Sequence, residues 1–282
     1  MSKVERQPLE YSGIFYDSAN LEGFKRWFEA RILGGATTNP VLFQKEGILD
    51  VTAHIDKMVE ISGKDFPISI EIPDTQMGRE EMVDLARRYR EKYPENAVIK
   101  VPMDPREPQK AFEVMYRLGE DGIRVNATIG ISMGQLVGAA EALRQNKSEG
   151  DNYISLFWGR REEAKKQIIE VELKRVAEDY GRELSEKERA LLIEDISKKI
   201  PDAAATLAMT LKYLQNHSLA TKVIVGSVRG VEQIERAFSI GADIVTIPPN
   251  LIEEWMYTQR GVETIDQFNK AYRDVKDKVK LI

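Results

Sequence analysis

A lysine inside an apolar run is an amine held in poor solvent, and Lys100 occupies such a place in Ala97-Val98-Ile99-Lys100-Val101-Pro102. Desolvation disfavours the ammonium form, which is what an amine attacking a ketone or aldehyde requires. Lys100 is therefore a candidate Schiff-base lysine, set against a lysine that snorkels to water or pairs with a carboxylate. Glu71 is likewise the one charge in Ile68-Ser69-Ile70-Glu71-Ile72, and Asp17 ends the run Ile14-Phe15-Tyr16-Asp17. In one reading the three converge as catalytic groups. In the other, Glu71 and Lys100 form a structural ion pair and Asp17 caps a helix. The residues alone leave these two readings level.

Other runs carry neutral polar groups among apolar ones: Ala36-Thr37-Thr38-Asn39-Pro40 and Asn126-Ala127-Thr128. Buried polar groups need partners, so these satisfy neighbouring backbone or face a polar ligand. Asn126-Ala127-Thr128 also matches a glycosylation sequon, discounted for a core strand. Further on come Ser155-Leu156-Phe157-Trp158-Gly159-Arg160 and Gly226-Ser227-Val228-Arg229-Gly230. Two arginines and a serine beside glycines that expose backbone N–H groups suit a phosphate, with surface ion pairs as the alternative.

Residues this distant in sequence need a scaffold that gathers them. Short apolar, β-branched runs recur at Ile14 to Asp17, Gly35 to Asn39, Ile68 to Ile72, Ala97 to Pro102, Ile123 to Ile129, Tyr153 to Trp158, Val223 to Ser227 and Ile244 to Pro248. Each is followed by a stretch of helical period; after Asn20, a candidate N-cap, Leu21, Phe24, Trp27, Phe28 and Ile32 trace one apolar face. Eight βα units with near-continuous apolar strands predict an α/β fold, a (β/α)8 TIM barrel, whose catalytic groups gather at the C-terminal strand ends. An open doubly wound sheet is second, and no run is followed by G-x-G-x-x-G. The gap after the sixth strand is roughly double a typical βα repeat, which predicts a helical insertion over 161–216. Within it, Gly181 can end one helix, Ser185 with Glu188 makes a capping box, and Pro201 precedes a helix through Ala203 to Leu214. No linker stands out, so residues 1–282 are read as one domain.

Composition bounds the chemistry. The chain has 282 residues, 41 Lys plus Arg against 46 Asp plus Glu, a formal charge of −5, no cysteine and two histidines, His54 and His217. Thiolate, disulfide and Cys-based zinc chemistry are excluded, and His-rich metal or triad chemistry is disfavoured. Neither metal nor cofactor is expected. Mild acidity without a long basic run argues against nucleic acid. No stretch reaches the length of a membrane span, and the start MSKVERQPLEYSG lacks a signal-peptide apolar core, so a cytoplasmic protein is expected. A homo-oligomer is left open.

Together these residues resemble the transaldolase family, class I aldolase-type barrels that move a dihydroxyacetone unit between sugar phosphates. The matching pieces are Asp17-Ser18-Ala19-Asn20, Thr37-Thr38-Asn39-Pro40, Glu71, Ile99-Lys100-Val101-Pro102, Asn126-Ala127-Thr128, Ser155 through Arg160, and Ser227-Val228-Arg229. The resemblance implies that Lys100 forms a Schiff base with the C2 carbonyl of a ketose phosphate. Asp17 would take the C4 hydroxyl proton as C3–C4 cleaves, and Glu71 and Thr128 would position the water for proton transfer. Asn39, Asn126 and Ser155 would bind the dihydroxyacetone portion, and Arg160, Ser227 and Arg229 the phosphate. An iminium is itself the electron sink, consistent with no cofactor. Related fructose-6-phosphate aldolases typically carry glutamine at the Glu71 position and tyrosine at the Phe157 position, so this chain resembles the transferases at both. It departs from the family pattern at Ile129-Gly130-Ile131-Ser132, Leu156 and Trp158, which bear on substrate identity more than on reaction type. The competing expectations are a lyase of the same barrel class, which needs no acceptor, and a sugar-phosphate-binding protein without turnover.

Overall fold

In the computed structural model, which describes residues 11–276 and residue 279, eight parallel strands pair in sequence order and the eighth closes on the first. β1 (Ile14–Asp17) leads to α1 (Leu21–Glu29), and β2 (Gly35–Thr37) to α2 (Pro40–Lys45) and α3 (Val51–Ser62). β3 (Ile68–Glu71) precedes α4 (Arg79–Lys92), and β4 (Ala97–Pro102) precedes α5 (Pro108–Glu120). β5 (Val125–Gly130) and α6 (Met133–Ala142) follow, then β6 (Tyr153–Phe157) with α7 (Trp158–Tyr180), α8 (Glu186–Lys199) and α9 (Ala203–Asn216). β7 (Lys222–Gly226), α10 (Val231–Ile240), β8 (Ile244–Ile247), α11 (Pro249–Met256) and α12 (Gln259–Val275) complete the order. Every expected apolar run is a strand. Pairing of Phe15 with Thr246 closes the barrel and removes the open-sheet alternative.

Strand alternation sorts side chains between the barrel interior and the helix layer. Ile70, Ile99, Ala127, Ile154 and Leu156 join the core cluster that packs the strands against the helices. Their neighbours in sequence fill the interior in layers. Toward the N-terminal strand ends, Phe15, Val98, Tyr153, Ile224 and Ile244 form a separate apolar cluster. The Phe15 ring needs the room left by Gly35, where a Cβ would fall 2.4 Å from a ring carbon. Tyr11 closes this end, its hydroxyl within 2.6 Å of the Tyr153 hydroxyl and donating to Asp151 at 2.8 Å. One layer further along the strands the interior turns polar, and the chemistry-bearing side chains begin.

Local sequence explains how the chain leaves each strand. Asn20 caps α1 by accepting from the Gly23 N–H, so Asp17 is not the cap. α1 buries Phe24 and Trp27 as expected, but it stops at Glu29, and Ile32 lies beyond Arg31, whose φ of +59° breaks the helix. Ile32 nonetheless packs against the core. Asn39 caps α2 ahead of Pro40, whose fixed φ suits a first helical turn.

The long connection between β6 and β7 holds three helices, delimited by left-handed Gly181, the Ser185–Glu188 capping box and the Asp202 cap after Pro201. They fall in the connection expected to hold a helical insertion over 161–216, with α7 starting at Trp158. α9 packs against α6, α10 and β6, the place of an ordinary barrel helix, while α8 packs against α7. α7, which begins directly on β6, packs in turn against β7 and α9, so α7 and α9 both touch barrel strands. The residue count alone could not separate added helices from the barrel's own. α12 buries none of its side chains, and Val262, Ile265, Phe268 and Tyr272 are exposed at helical spacing. No helix of the described residues is long and apolar enough to cross a membrane.

Candidate active site

A pocket of about 390 Å³ opens at the C-terminal ends of the strands. Its walls include Asp17 from β1, Thr37 from β2, Glu71 from β3, Lys100 from β4 and Thr128 from β5. Ser155 and Phe157 of β6, Gly226 of β7 and Thr246 of β8 complete the ring, with Arg160, Ser227 and Asn39 from the loops and helix starts beyond it. Pro40, Val41 and Leu42 of α2 add an apolar lip.

Parallel register makes Glu71 and Lys100 direct neighbours across β3 and β4. The Lys100 Nζ lies 2.7 Å from a Glu71 carboxylate oxygen and donates to the Thr38 carbonyl at 2.9 Å. Both side chains are largely removed from water, at 5% and 11% exposure. The ion-pair arrangement thus exists, and it stands in the pocket wall with a carboxylate within proton-transfer reach of the amine.

Asp17 lies across the pocket in the same ring of strand ends. Thr37, its register partner on β2, donates to the Asp17 carboxylate at 2.8 Å, and the Thr246 hydroxyl lies 2.5 Å from that of Thr37. With the Thr37 proton directed at Asp17, Thr246 is left to donate to Thr37. The relay fixes the carboxylate's orientation. Burial holds the Asp17 carboxyl above the usual carboxylate range, with Lys100 and then Thr37 pulling the other way. A base raised in this way is better matched to proton transfer near neutrality.

Asn126, expected to bind the dihydroxyacetone portion, is not among the residues lining the pocket. It is fully buried, donating to the Ser69 Oγ at 3.1 Å and accepting from the Ser155 Oγ at 2.6 Å. That bond ties it to Ser155, which does line the pocket. The Asn39 carboxamide oxygen is engaged by the Leu42 N–H as the α2 cap. Thr128 is fully buried and its hydroxyl has no hydrogen-bond partner, an orphan that calls for an acceptor or donor from a ligand or solvent. Next to it Ile129 has a φ of +63°, where a β-branched residue is strongly disfavoured, at a register irregularity between Ala127 and Gly130. Ser227, in the expected phosphate loop, also has a positive φ, +56°. Two strained residues in one pocket wall fit a site held in place by its surroundings.

Of the two expected phosphate arginines, Arg160 lines the pocket and Arg229 does not. Both are tied to Glu163. Thr246, which lines the pocket, and Ser69, which accepts from Asn126, were not singled out from the sequence; the available signal was a hydroxyl at an inward position of an otherwise apolar strand.

A family model described as Transaldolase/Fructose-6-phosphate aldolase matches residues 14–280. The chain belongs to that family. Curated relatives agree along nearly their whole length. A protein of Nitrosopumilus maritimus (strain SCM1) named "Probable transaldolase" is 30% identical over 265 residues, covering 93% of this chain and 96% of its own. One of the same name from Clostridium botulinum (strain Eklund 17B / Type B) is 32% identical over 261 residues, covering 92% and 97%. Membership fixes an enzyme of transaldolase or aldolase type on this barrel.

Proposed function

We propose that this family member is a transaldolase that moves a dihydroxyacetone unit from a ketose phosphate, such as fructose 6-phosphate or sedoheptulose 7-phosphate, to an aldose phosphate. The observation that carries the reading is the Lys100 amine 2.7 Å from the Glu71 carboxylate in a pocket it shares with Asp17. Lys100 attacks the C2 carbonyl, and the carbinolamine loses water to give an iminium. Glu71 and Thr128 hold the water that carries protons in this step; the partnerless Thr128 hydroxyl supports that role. Asp17 then takes the C4 hydroxyl proton as the C3–C4 bond breaks, and its electron pair moves to the iminium to form an enamine. The aldose phosphate departs. An acceptor aldehyde enters, the enamine carbon attacks it to restore an iminium, and Asp17 returns the proton. Water then hydrolyses the iminium to release the new ketose phosphate and free Lys100.

Ser155 binds the dihydroxyacetone hydroxyls directly, Asn126 orients Ser155 through their hydrogen bond, and Asn39 lines the pocket at the start of α2. Phe157 packs against the bound unit. Arg160 and Ser227 meet the phosphate, with Arg229 recruited to it. Iminium chemistry needs neither metal nor organic cofactor.

Glu71 and Phe157 support transfer over simple cleavage, because the aldolase branch typically carries Gln and Tyr at these positions. The test compares two rates with fructose 6-phosphate as donor. Exchange with erythrose 4-phosphate to sedoheptulose 7-phosphate and glyceraldehyde 3-phosphate should far outpace release of free dihydroxyacetone. Equal release without acceptor would establish the lyase reading instead.

A further inference from the structure

At the mouth of the pocket three side chains form one arrangement. Glu163, one turn into α7, accepts from the Arg160 guanidinium at 3.0 Å through one carboxylate oxygen and from the Arg229 guanidinium through the other. Arg229 reaches it by lying across the backbone of Gly159, where a Cβ would fall 2.6 Å from the Arg229 Nε. Its own loop is pinned, since the Arg229 N–H donates to Gln233 at 3.0 Å and the Gly159 N–H donates to the Ser227 carbonyl at 3.0 Å. Arg160 and Ser227 line the pocket, and Arg229, which does not, is held by the carboxylate.

We propose that Glu163 is a resident anion of the phosphate subsite, a latch that keeps Arg229 out of the pocket until a substrate phosphate takes its place. The inference rests on the phosphate reading of Arg160 and Ser227. Its physical basis is competition between two anions for the same forked donors. A guanidinium binds carboxylate and phosphate with the same two-pronged geometry, so each replaces the other without rebuilding the site. Bonding to Arg229 and Arg160 holds the Glu163 carboxyl below its usual range, so the latch stays charged at neutral pH. The carboxylate carries one negative charge and a phosphate dianion nearly two, which favours exchange. A neutral hydroxyl end cannot draw Arg229 away. Glu163 is thus a positioning residue that sets selectivity for phosphorylated over unphosphorylated ketoses.

The test is calorimetric titration of the full chain with inorganic phosphate at fixed ionic strength, on wild type, E163Q, E163D, R229A, E163Q/R229A and R160A. Loss of the competing carboxylate should tighten phosphate binding about twofold to fivefold in E163Q, the range expected for freeing a partly exposed ion pair. E163D keeps the charge but is too short to span both arginines, and it should tighten binding in the same direction. In the R229A background the E163Q change should give less than a twofold effect, because the latch acts through Arg229. Unchanged or weaker binding in E163Q overturns the latch. So does equal tightening with and without Arg229, which would show a general charge effect. If wild type binds no phosphate, or R160A binds it as well as wild type does, the phosphate reading fails and the latch with it. A phosphate affinity that depends on Arg160 and ignores Glu163 removes the latch alone.

Discussion

Replacing Lys100 by methionine removes the proposed nucleophile and keeps a similar volume, yet the structure gives the substitution a thermodynamic cost. Lys100 and Glu71 are a pair 2.7 Å apart with side-chain exposures of 5% and 11%. Removing one partner of a buried pair strands the other charge and costs roughly 3–5 kcal/mol. Unfolding a chain of this size carries an entropy that converts each kcal/mol into about 2 °C, so K100M should melt roughly 5–10 °C below wild type. Removing both charges relieves the stranded carboxylate. K100M/E71L should therefore melt well above K100M, and because E71L alone strands Lys100 at a similar cost, the completed cycle should give a coupling free energy of more than about 3 kcal/mol. Thermal unfolding of the four proteins at pH 7.5, followed by circular dichroism, supplies the numbers. Additive losses would refute the reasoning, because the two charges would then not depend on each other in solution.

Asp17 provides an opposite sign. Its carboxyl is held above the usual range by burial, so the folded state retains a proton that the unfolded chain releases at lower pH. The associated stability is fully present below the unfolded value and is lost as pH rises toward and through the folded one, so above the unfolded value the buried carboxyl becomes a burden. D17N should raise the melting temperature by roughly 1–3 °C at pH 7.5, with the gain shrinking toward pH 4, while kcat falls on the order of 100- to 10,000-fold; lower stability at pH 7.5 would contradict the assignment. R160A should lose on the order of 10- to 100-fold in kcat/KM with a phosphorylated ketose and little with free dihydroxyacetone as donor, and an equal loss for both donors would remove the phosphate contact. G35A should destabilise the barrel by roughly 1–3 kcal/mol through the clash with Phe15, with F15L restoring most of the loss in the double variant as read from denaturant midpoints; additive losses would place the strain elsewhere.

Much of this molecule could be read from its sequence because charges inside apolar runs are costly and therefore conspicuous. Asp17, Glu71 and Lys100 are conspicuous in that way, and the structure brings them to one pocket. Thr246 and Ser69 were not legible, since a single hydroxyl in a strand is satisfied cheaply and carries no comparable signal. The bend at Ile129 was hidden for the opposite reason: a β-branched residue argues locally against the left-handed backbone it adopts, and only tertiary packing forces it there. Which helix of the long connection lies against which strand was not legible either, because capping signals mark where helices end and say nothing about packing. Pairing of Arg229 with Glu163 joins α7 to the loop after β7, a contact between segments more than sixty residues apart that no local pattern encodes.

The central claim is that Lys100 is the amine that carries the transferred unit. Borohydride added to the full chain with fructose 6-phosphate reduces an iminium to a stable secondary amine, and peptide mass mapping then locates it. The account predicts irreversible inactivation, a three-carbon adduct on Lys100 and no trapping in K100M. A three-carbon adduct on any other lysine, or full activity after borohydride treatment in the presence of the sugar phosphate, would contradict it.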